Sequence, residues 1–135
     1  MNILTGVMKE SSGSARIYDL DIGKNIESIR KIISVVPQFD ILWEDLTVYE
    51  HMMMFSQLKQ IKSSKLKSSI HKRLSSVGLE GEKKTLIKAL SGGMRRRLSI
   101  AIASIANPKI IFLDEPTTGI LFSNHLILFY KAWIP

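Results

Sequence analysis

The strongest constraint on the fold is a short apolar run that ends in two acids. Residues 110–113 read Ile-Ile-Phe-Leu, and Asp114 and Glu115 follow without a break. A strand that is apolar at every position is typical of a parallel sheet with both faces covered. The sequence therefore predicts an α/β protein with a parallel sheet. The two carboxylates would lie at the carboxyl end of a strand, where open α/β sheets bind ligands.

Helical spacing of apolar residues predicts three helices between residues 47 and 106. Thr47 and Glu50 have the spacing of a capping box, so the first helix begins at Val48. Gly78 follows the second helix and is the residue type that adopts the left-handed conformation at a helix C-terminus. Asn107 and Pro108 end the third helix. The predicted ranges are 48–61, 64–77 and 94–106.

The residues before these helices predict shorter elements. Alternation of residue types favours a strand over 15–18, and Asn25 is a candidate cap for a brief helix over 25–31. The β-branched residues of 32–36, closed by Pro37, indicate a second buried strand.

Composition limits the classes of protein to consider. The chain has 135 residues, which is one domain at most, and no Cys, which excludes disulfides and thiol chemistry. No apolar run has the length of about 18 residues that spans a bilayer, and no signal peptide is recognisable. The net charge of +7 favours anionic partners. Nucleic acid is not expected among them, because the 7% aromatic residues are not interleaved with the basic clusters.

The third helix begins with a candidate anion site. Leu-Ser-Gly-Gly-Met at 90–94 places small residues and backbone amides at a helix N-terminus, which favours an anion. Arg95, Arg96 and Arg97 then occupy the first turn, where the helix dipole disfavours cations by about 0.3–1 kcal/mol each. Either an anion docks there, or the segment is a Ser-capped helix with a solvated basic face.

The two acids also allow two interpretations. Asp114 could cap a turn while Glu115 faces solvent. Alternatively, the pair matches what phosphoryl transfer needs, with one acid to hold Mg²⁺ and another to orient water. The preceding apolar run and the Pro-Thr-Thr-Gly at 116–119 favour the second interpretation.

These segments together resemble a known family. Residues 90–94 and 110–117 resemble the signature motif and Walker B of the nucleotide-binding domain of ATP-binding cassette (ABC) transporters, and 35–40 resembles the Q-loop. Residues 46–51 and 57–59 resemble subfamily A, the lipid exporters. The resemblance covers 1–119 and implies a P-loop NTPase-type ABC ATPase domain, a parallel sheet core with a helical subdomain over about 40–106.

The resemblance also implies site residues, cofactors and partners. Gln38 would sense Mg²⁺ and the γ-phosphate, Asp114 would hold Mg²⁺, and Glu115 would polarise the attacking water. The cofactors would be ATP and Mg²⁺. The partners would be a second nucleotide-binding domain and a transmembrane domain, at the cytosolic face of a membrane. The residues that would contact the γ-phosphate of ATP on the opposite cassette are Ser91, Gly92 and Gly93.

The sequence also departs from the family pattern. No G-x-x-x-x-G-K-[ST] Walker A occurs, because Gly23 and Lys24 are preceded by Tyr18 where the first glycine should be and followed by Asn25. After Gly119 the D-loop pattern does not continue, which leaves 120–135 as a divergent apolar tail with no assigned role. The domain is therefore expected to be incomplete, with unpaired strand edges and marginal folding in isolation.

Two functions remain open from the sequence. The chain would be part of a domain that binds and hydrolyses ATP to drive transport of lipid, although alone it would be incompetent for hydrolysis. Alternatively, it would be a non-catalytic fragment that docks on an intact ABC cassette and modulates it. Whether the chain itself is an enzyme stays undecided.

Overall fold

The structure, a computed structural model, describes residues 15–38, 41–114 and 127–131. The elements are named in chain order. Two single 3₁₀ turns, Glu80–Glu82 and Ile87–Ala89, lie between the last two helices of the chain's described part and are not numbered. The strands and helices are β1 (Arg16–Ile17), β2 (Leu20–Asp21), α1 (Ile26–Ile32), β3 (Ile33–Val36), α2 (Val48–Leu58), α3 (Ser63–Ser76), α4 (Gly92–Ser104), β4 (Ile110–Asp114) and β5 (Ile127–Lys131).

A parallel sheet of order β3-β4-β5 forms the centre of the fold. Val36 of β3 lies opposite Leu113 of β4, and Ile110 lies opposite Ile127 of β5. The predicted α/β class with a parallel sheet is confirmed. The strand predicted from residue 32 begins one residue later, because Ile32 is the last residue of α1.

The apolar tail contributes a strand to this sheet. Residues 127–131 pair in parallel with β4, from Ile110↔Ile127 to Asp114↔Lys131. The expectation of unpaired strand edges is therefore wrong for β4, whose backbone is paired on both sides, whereas β3 lies at the edge of the sheet in the part of the chain that the structure describes. An apolar run rich in β-branched and aromatic residues suits such a position.

The two faces of the sheet are covered by different elements. The β1–β2 hairpin and α1 cover one face, and α4 covers the other. Alternate residues of β4 divide between these faces, as the strand period of two requires. The buried residues of the first face are Ile17, Ile22, Ile29, Ile33, Ile110 and Phe112, and those of the second are Val36, Ile100, Ala103, Ile111 and Leu113.

The helices α2, α3 and α4 form a second, purely helical core. The predicted capping box is confirmed at the start of α2: Thr47 Oγ1 accepts a hydrogen bond from the Glu50 N–H at 3.2 Å, and Glu50 Oε2 accepts from the Thr47 N–H at 2.7 Å. The helix ends at Leu58 rather than at Ile61, because Gln60 adopts a left-handed φ of 56°. The buried residues of this core are Val48, Met52, Ile70, Leu74, Val77, Leu79, Ile87, Leu90, Leu98, Ala101 and Ile105.

Helix α4 connects the two parts because it is buried on two sides. Leu98 and Ala101 face the helical core, whereas Ile100 and Ala103 pack on the sheet. The N-terminus of this helix is thus held in a fixed relation to the ends of the strands. In the ranges that the structure describes, no helix has both the length and the apolar character needed to cross a membrane.

Candidate functional site

The carboxyl ends of β3 and β4 bring two of the predicted site residues to one edge of the sheet. Val36 lies opposite Leu113, so Gln38 and Asp114 both follow this pair on neighbouring parallel strands. Gln38 is exposed. Glu115 and the side chain of Asp114 lie outside the described residues. Within the described part of the chain, no group of three or more His, Cys, Asp or Glu side chains could hold a metal ion.

The N-terminus of α4 carries the other predicted site residues. Ser91 is the N-cap, and its side-chain oxygen accepts a hydrogen bond from the Met94 N–H at 3.3 Å. Gly92 and Gly93 are exposed, and the positions where a Cβ would sit have no surrounding atom within 4 Å. The first turn contains no acidic residue. Because the amides of Gly92 and Gly93 have no acceptor within the helix, this end of α4 can bind an anion.

The two sets of residues lie on different elements, and α4 packs on the sheet between them. Ile100 of α4 belongs to the cluster that includes Val36 and Leu113 at the ends of the strands. Gly92 precedes Ile100 by eight residues in the same helix, which is about 12 Å along the axis at about 1.5 Å per residue.

The three arginines after the glycines form contacts that the sequence did not predict. Arg95 donates from Nε to the Leu90 carbonyl and from Nη2 to the Lys88 carbonyl, each at 3.3 Å. It also lies 3.4 Å from Glu44 Oε1. Its guanidinium therefore holds residues 88–90 against the N-terminus of α4 through hydrogen bonds.

The next two arginines reach other loops. Arg96 is buried and donates from Nη1 to the carbonyl of Pro37, at the end of β3. Arg97 donates from Nη1 to the Val77 carbonyl at 2.8 Å, at the end of α3. The alternative of a solvated basic face does not describe Arg96, which is buried, and carbonyl oxygens accept hydrogen bonds from all three guanidinium groups. No docked anion is needed to explain their position.

A groove lies beside the carboxyl end of β3. It has a volume of about 670 Å³ and is lined by Val35, Trp43, Phe55 and Lys59 among others. Ile41 and Trp43 are 68% and 51% exposed, which is high for large apolar side chains on a folded chain. The groove therefore presents apolar surface next to Gln38.

His51 supports one wall of this groove from inside. It is fully buried, and its Nε2 accepts a hydrogen bond from the Trp43 N–H at 2.9 Å. Its Nδ1 has no hydrogen-bond partner in the described part of the chain. Burial lowers the pKa of His51, and the accepting Nε2 requires the neutral ring. Sequence reasoning missed this residue, because a single His in a helix carries no signal of its contacts.

Comparison with known proteins places these features in a family. The model of the family "ABC transporter" matches residues 1–118. ABC transporter A family member 1 of Dictyostelium discoideum is 47% identical over 134 residues, or 98% of this chain and 15% of that protein. This match includes most of the apolar tail. ABC transporter A family member 9 of Arabidopsis thaliana is 46% identical over 121 residues, or 88% of this chain and 13% of that protein.

Solved structures agree with this result. The structure of cbiO1 from Clostridium perfringens, part of the ABC transporter complex cbiONQ, has a TM-score of 0.77 and 27% identity, and the match covers 88% of this chain and 49% of that one. An ATP-binding subunit of an ABC transporter has a TM-score of 0.69 at 21% identity, which shows the fold alone. This chain spans about half the length of these subunits and about a seventh of its A family relatives. The chain thus belongs to the ABC transporter family, with the fold of its ATPase domain and with relatives in the A subfamily.

Proposed function

We propose that this chain is part of a nucleotide-binding domain that binds ATP with Mg²⁺ and couples ATP hydrolysis to the transport of lipid across a membrane. The observation that carries this proposal is the N-terminus of α4, where Ser91, Gly92 and Gly93 are exposed and the first turn of the helix contains no acid. A γ-phosphate is the anion that such a site suits in this family.

The signature residues act on ATP held by a second nucleotide-binding domain. The resemblance of residues 90–94 to the signature motif supports this, because two domains of this family hold nucleotide between them. Ser91 and the two glycines contact the phosphate of the partner cassette. A complete site therefore needs two domains.

The residues at the strand ends act on the nucleotide that is held by this chain's own domain. Bound Mg²⁺-ATP supplies the transferable phosphoryl group and a cation that neutralises its charge. Asp114 would hold Mg²⁺, Gln38 would sense the ion and the γ-phosphate, and Glu115 would orient water. Carboxylate and amide oxygens are the ligands that Mg²⁺ prefers, and neighbouring parallel strands place Gln38 and Asp114 at the same edge.

The groove beside Gln38 is the docking site for a transmembrane domain at the cytosolic face of the membrane. Exposed Ile41 and Trp43 supply the apolar contact that such a partner buries. The groove includes Pro37, the residue before Gln38. A partner segment seated there would sense any displacement of Gln38.

The sequence contains no Walker A motif, so the chain alone is expected not to hydrolyse ATP. A titration with Mg²⁺-ATP, with folded content followed by circular dichroism, tests whether these residues hold nucleotide alone. Mixing the chain with an intact A subfamily cassette and ATP then tests the signature face. A dose-dependent change in the ATPase rate of the intact cassette is the expected result.

A pair of glycine variants makes this test specific. Gly93→Asp places a negative charge where the phosphate docks, whereas Gly81→Asp places one at an exposed glycine with equally open surroundings. An acid in the first turn stabilises a helix, so unfolding does not explain a loss. Gly93→Asp should abolish the change in ATPase rate, and Gly81→Asp should preserve it. Equal behaviour of the two variants contradicts the proposal.

The second candidate function is a non-catalytic fragment that modulates an intact cassette. It is favoured by the complete signature at the start of α4 in a sequence that lacks Walker A. The direction of the rate change distinguishes the two functions. Stimulation indicates a productive shared site, whereas inhibition at excess chain indicates a fragment that occupies the face without supporting hydrolysis.

A further inference from the structure

Arg96 connects the two parts of the proposed site. Its guanidinium donates to the carbonyl of Pro37, which is 59 residues earlier in the chain and lies at the end of β3. That carbonyl belongs to the same peptide group as the N–H of Gln38. Arg96 itself lies within the first turn and a half of α4, after Gly92 and Gly93. One side chain therefore joins the signature helix to the peptide that carries Gln38.

We propose that Arg96 is a positioning residue, which transmits the docking of phosphate on the α4 N-terminus to Gln38. The proposal rests on the proposed function, because it needs an anion at Gly92 and Gly93 and a role for Gln38. Arg96 itself does not contact the nucleotide. Its effect passes through the orientation of the Pro37–Gln38 peptide.

Two features of this contact suit it to transmission. Arg96 is only 7% exposed, so water has little access to its contact with the carbonyl. Pro37 has a fixed φ, which removes one backbone rotation that could absorb a displacement of its carbonyl. A shift of α4 along its axis would therefore move the Gln38 peptide.

The neighbouring arginine provides a matched control. Arg97 also lies in the N-terminal half of α4 and also donates to a carbonyl of another segment, that of Val77. Its contact leads to the end of α3 rather than to Gln38. Removal of either guanidinium leaves one carbonyl without its charged donor. Only the Arg96 variant loses the hydrogen bond between α4 and the Pro37–Gln38 peptide.

Hydrogen exchange at the Gln38 amide in the full chain tests the proposal. Exchange is measured in the free chain and in the chain docked on an intact A subfamily cassette with Mg²⁺ and ATP. Docking should slow exchange at this amide by about tenfold in the unaltered chain and in Arg97→Met, which lies in the range typical of coupling between two sites. In Arg96→Met the slowing should fall below about twofold, because the coupling is lost. Arg96→Lys should restore it, because an ammonium also donates to a carbonyl.

Each other outcome overturns the inference. Equal slowing in Arg96→Met and in the unaltered chain contradicts it, and failure of Arg96→Lys to restore the slowing would assign the effect to packing. If circular dichroism shows that Arg96→Met does not fold, Arg96→Gln and Arg97→Gln are compared instead, and equal slowing in this pair contradicts the inference. If the unaltered chain does not dock at all, the proposed function fails before any variant is compared.

Discussion

Substitution of Gly78 by alanine should destabilise the chain through two separate effects. Gly78 follows α3 with a φ of 66°. The Gly78 N–H donates to the Ser75 carbonyl at 3.1 Å and the Leu79 N–H donates to the Leu74 carbonyl at 2.9 Å, which together form a Schellman motif. The buried side chains of Leu74 and Leu79 belong to the same core. A Cβ at a left-handed residue costs about 1–2 kcal/mol.

The second effect acts on Arg97. A Cβ at Gly78 would lie 3.1 Å from Arg97 Nη1, the same atom that donates to the Val77 carbonyl at 2.8 Å. The guanidinium must move by a few tenths of an ångström, which weakens a hydrogen bond from a charged donor worth about 1.5–3 kcal/mol. Because the bond is weakened and not removed, we expect a total loss of about 2–3 kcal/mol in the free energy of unfolding.

Urea unfolding followed by circular dichroism at 222 nm measures this loss. Gly81→Ala is the control, because its Cβ meets no atom within 4 Å and its φ is not positive; it should stay within about 0.5 kcal/mol of the unaltered chain. In an Arg97→Met background, Gly78→Ala should cost only the backbone part, about 1–2 kcal/mol. A Gly78→Ala variant as stable as Gly81→Ala would refute the reasoning.

Three further predictions follow from the same contacts. Thr47→Ala removes the capping box of α2 and should cost about 1 kcal/mol in urea unfolding; no loss would show that Glu50 alone caps the helix. Burial lowers the pKa of His51, so the unfolded chain binds its proton more readily. Stability should therefore be full above about pH 6.5 and decline as pH falls below it; His51→Gln should weaken this decline, and an unchanged decline in this variant would contradict the assignment to His51. Ile100→Ala leaves a cavity between α4 and the sheet and should cost about 2–5 kcal/mol, and a smaller loss would mean that the two layers collapse around it.

The elements that the sequence predicts well are those whose signal is local. The apolar run at 110–113 is short and lies between Pro108 and two acids, which favours a strand over a helix. Thr47 with Glu50 defines a helix start within four residues. The segments that resemble the signature motif, the Q-loop and Walker B are likewise recognisable from the sequence, because each is contiguous. Secondary structure and motifs that depend only on neighbouring residues can therefore be predicted before any tertiary contact is known.

The turn between β1 and β2 shows why other elements are missed. The sequence predicts one strand over 15–18, whereas the structure has a two-residue turn at Tyr18 and Asp19 with φ of 48° and 62°. Such a turn usually contains Gly or Asn, because these residues tolerate positive φ. This turn contains neither Gly nor Asn, so the sequence does not indicate a hairpin here. The hairpin depends instead on the burial of Ile17 against α1 and β3.

The arginines show a different limit, and they change the electrostatics of the proposed site. From the sequence, three cations beside the signature glycines suggest that charge attracts the phosphate. In the structure each guanidinium is directed to a carbonyl of another segment, and Arg95 also lies close to Glu44. Such contacts span up to 59 residues, so no local pattern predicts them. In the proposed site, the atoms that would contact phosphate at Gly92 and Gly93 are then the backbone amides, assisted by the helix dipole. The arginines fix instead where those amides point, because each one holds α4 to a different loop.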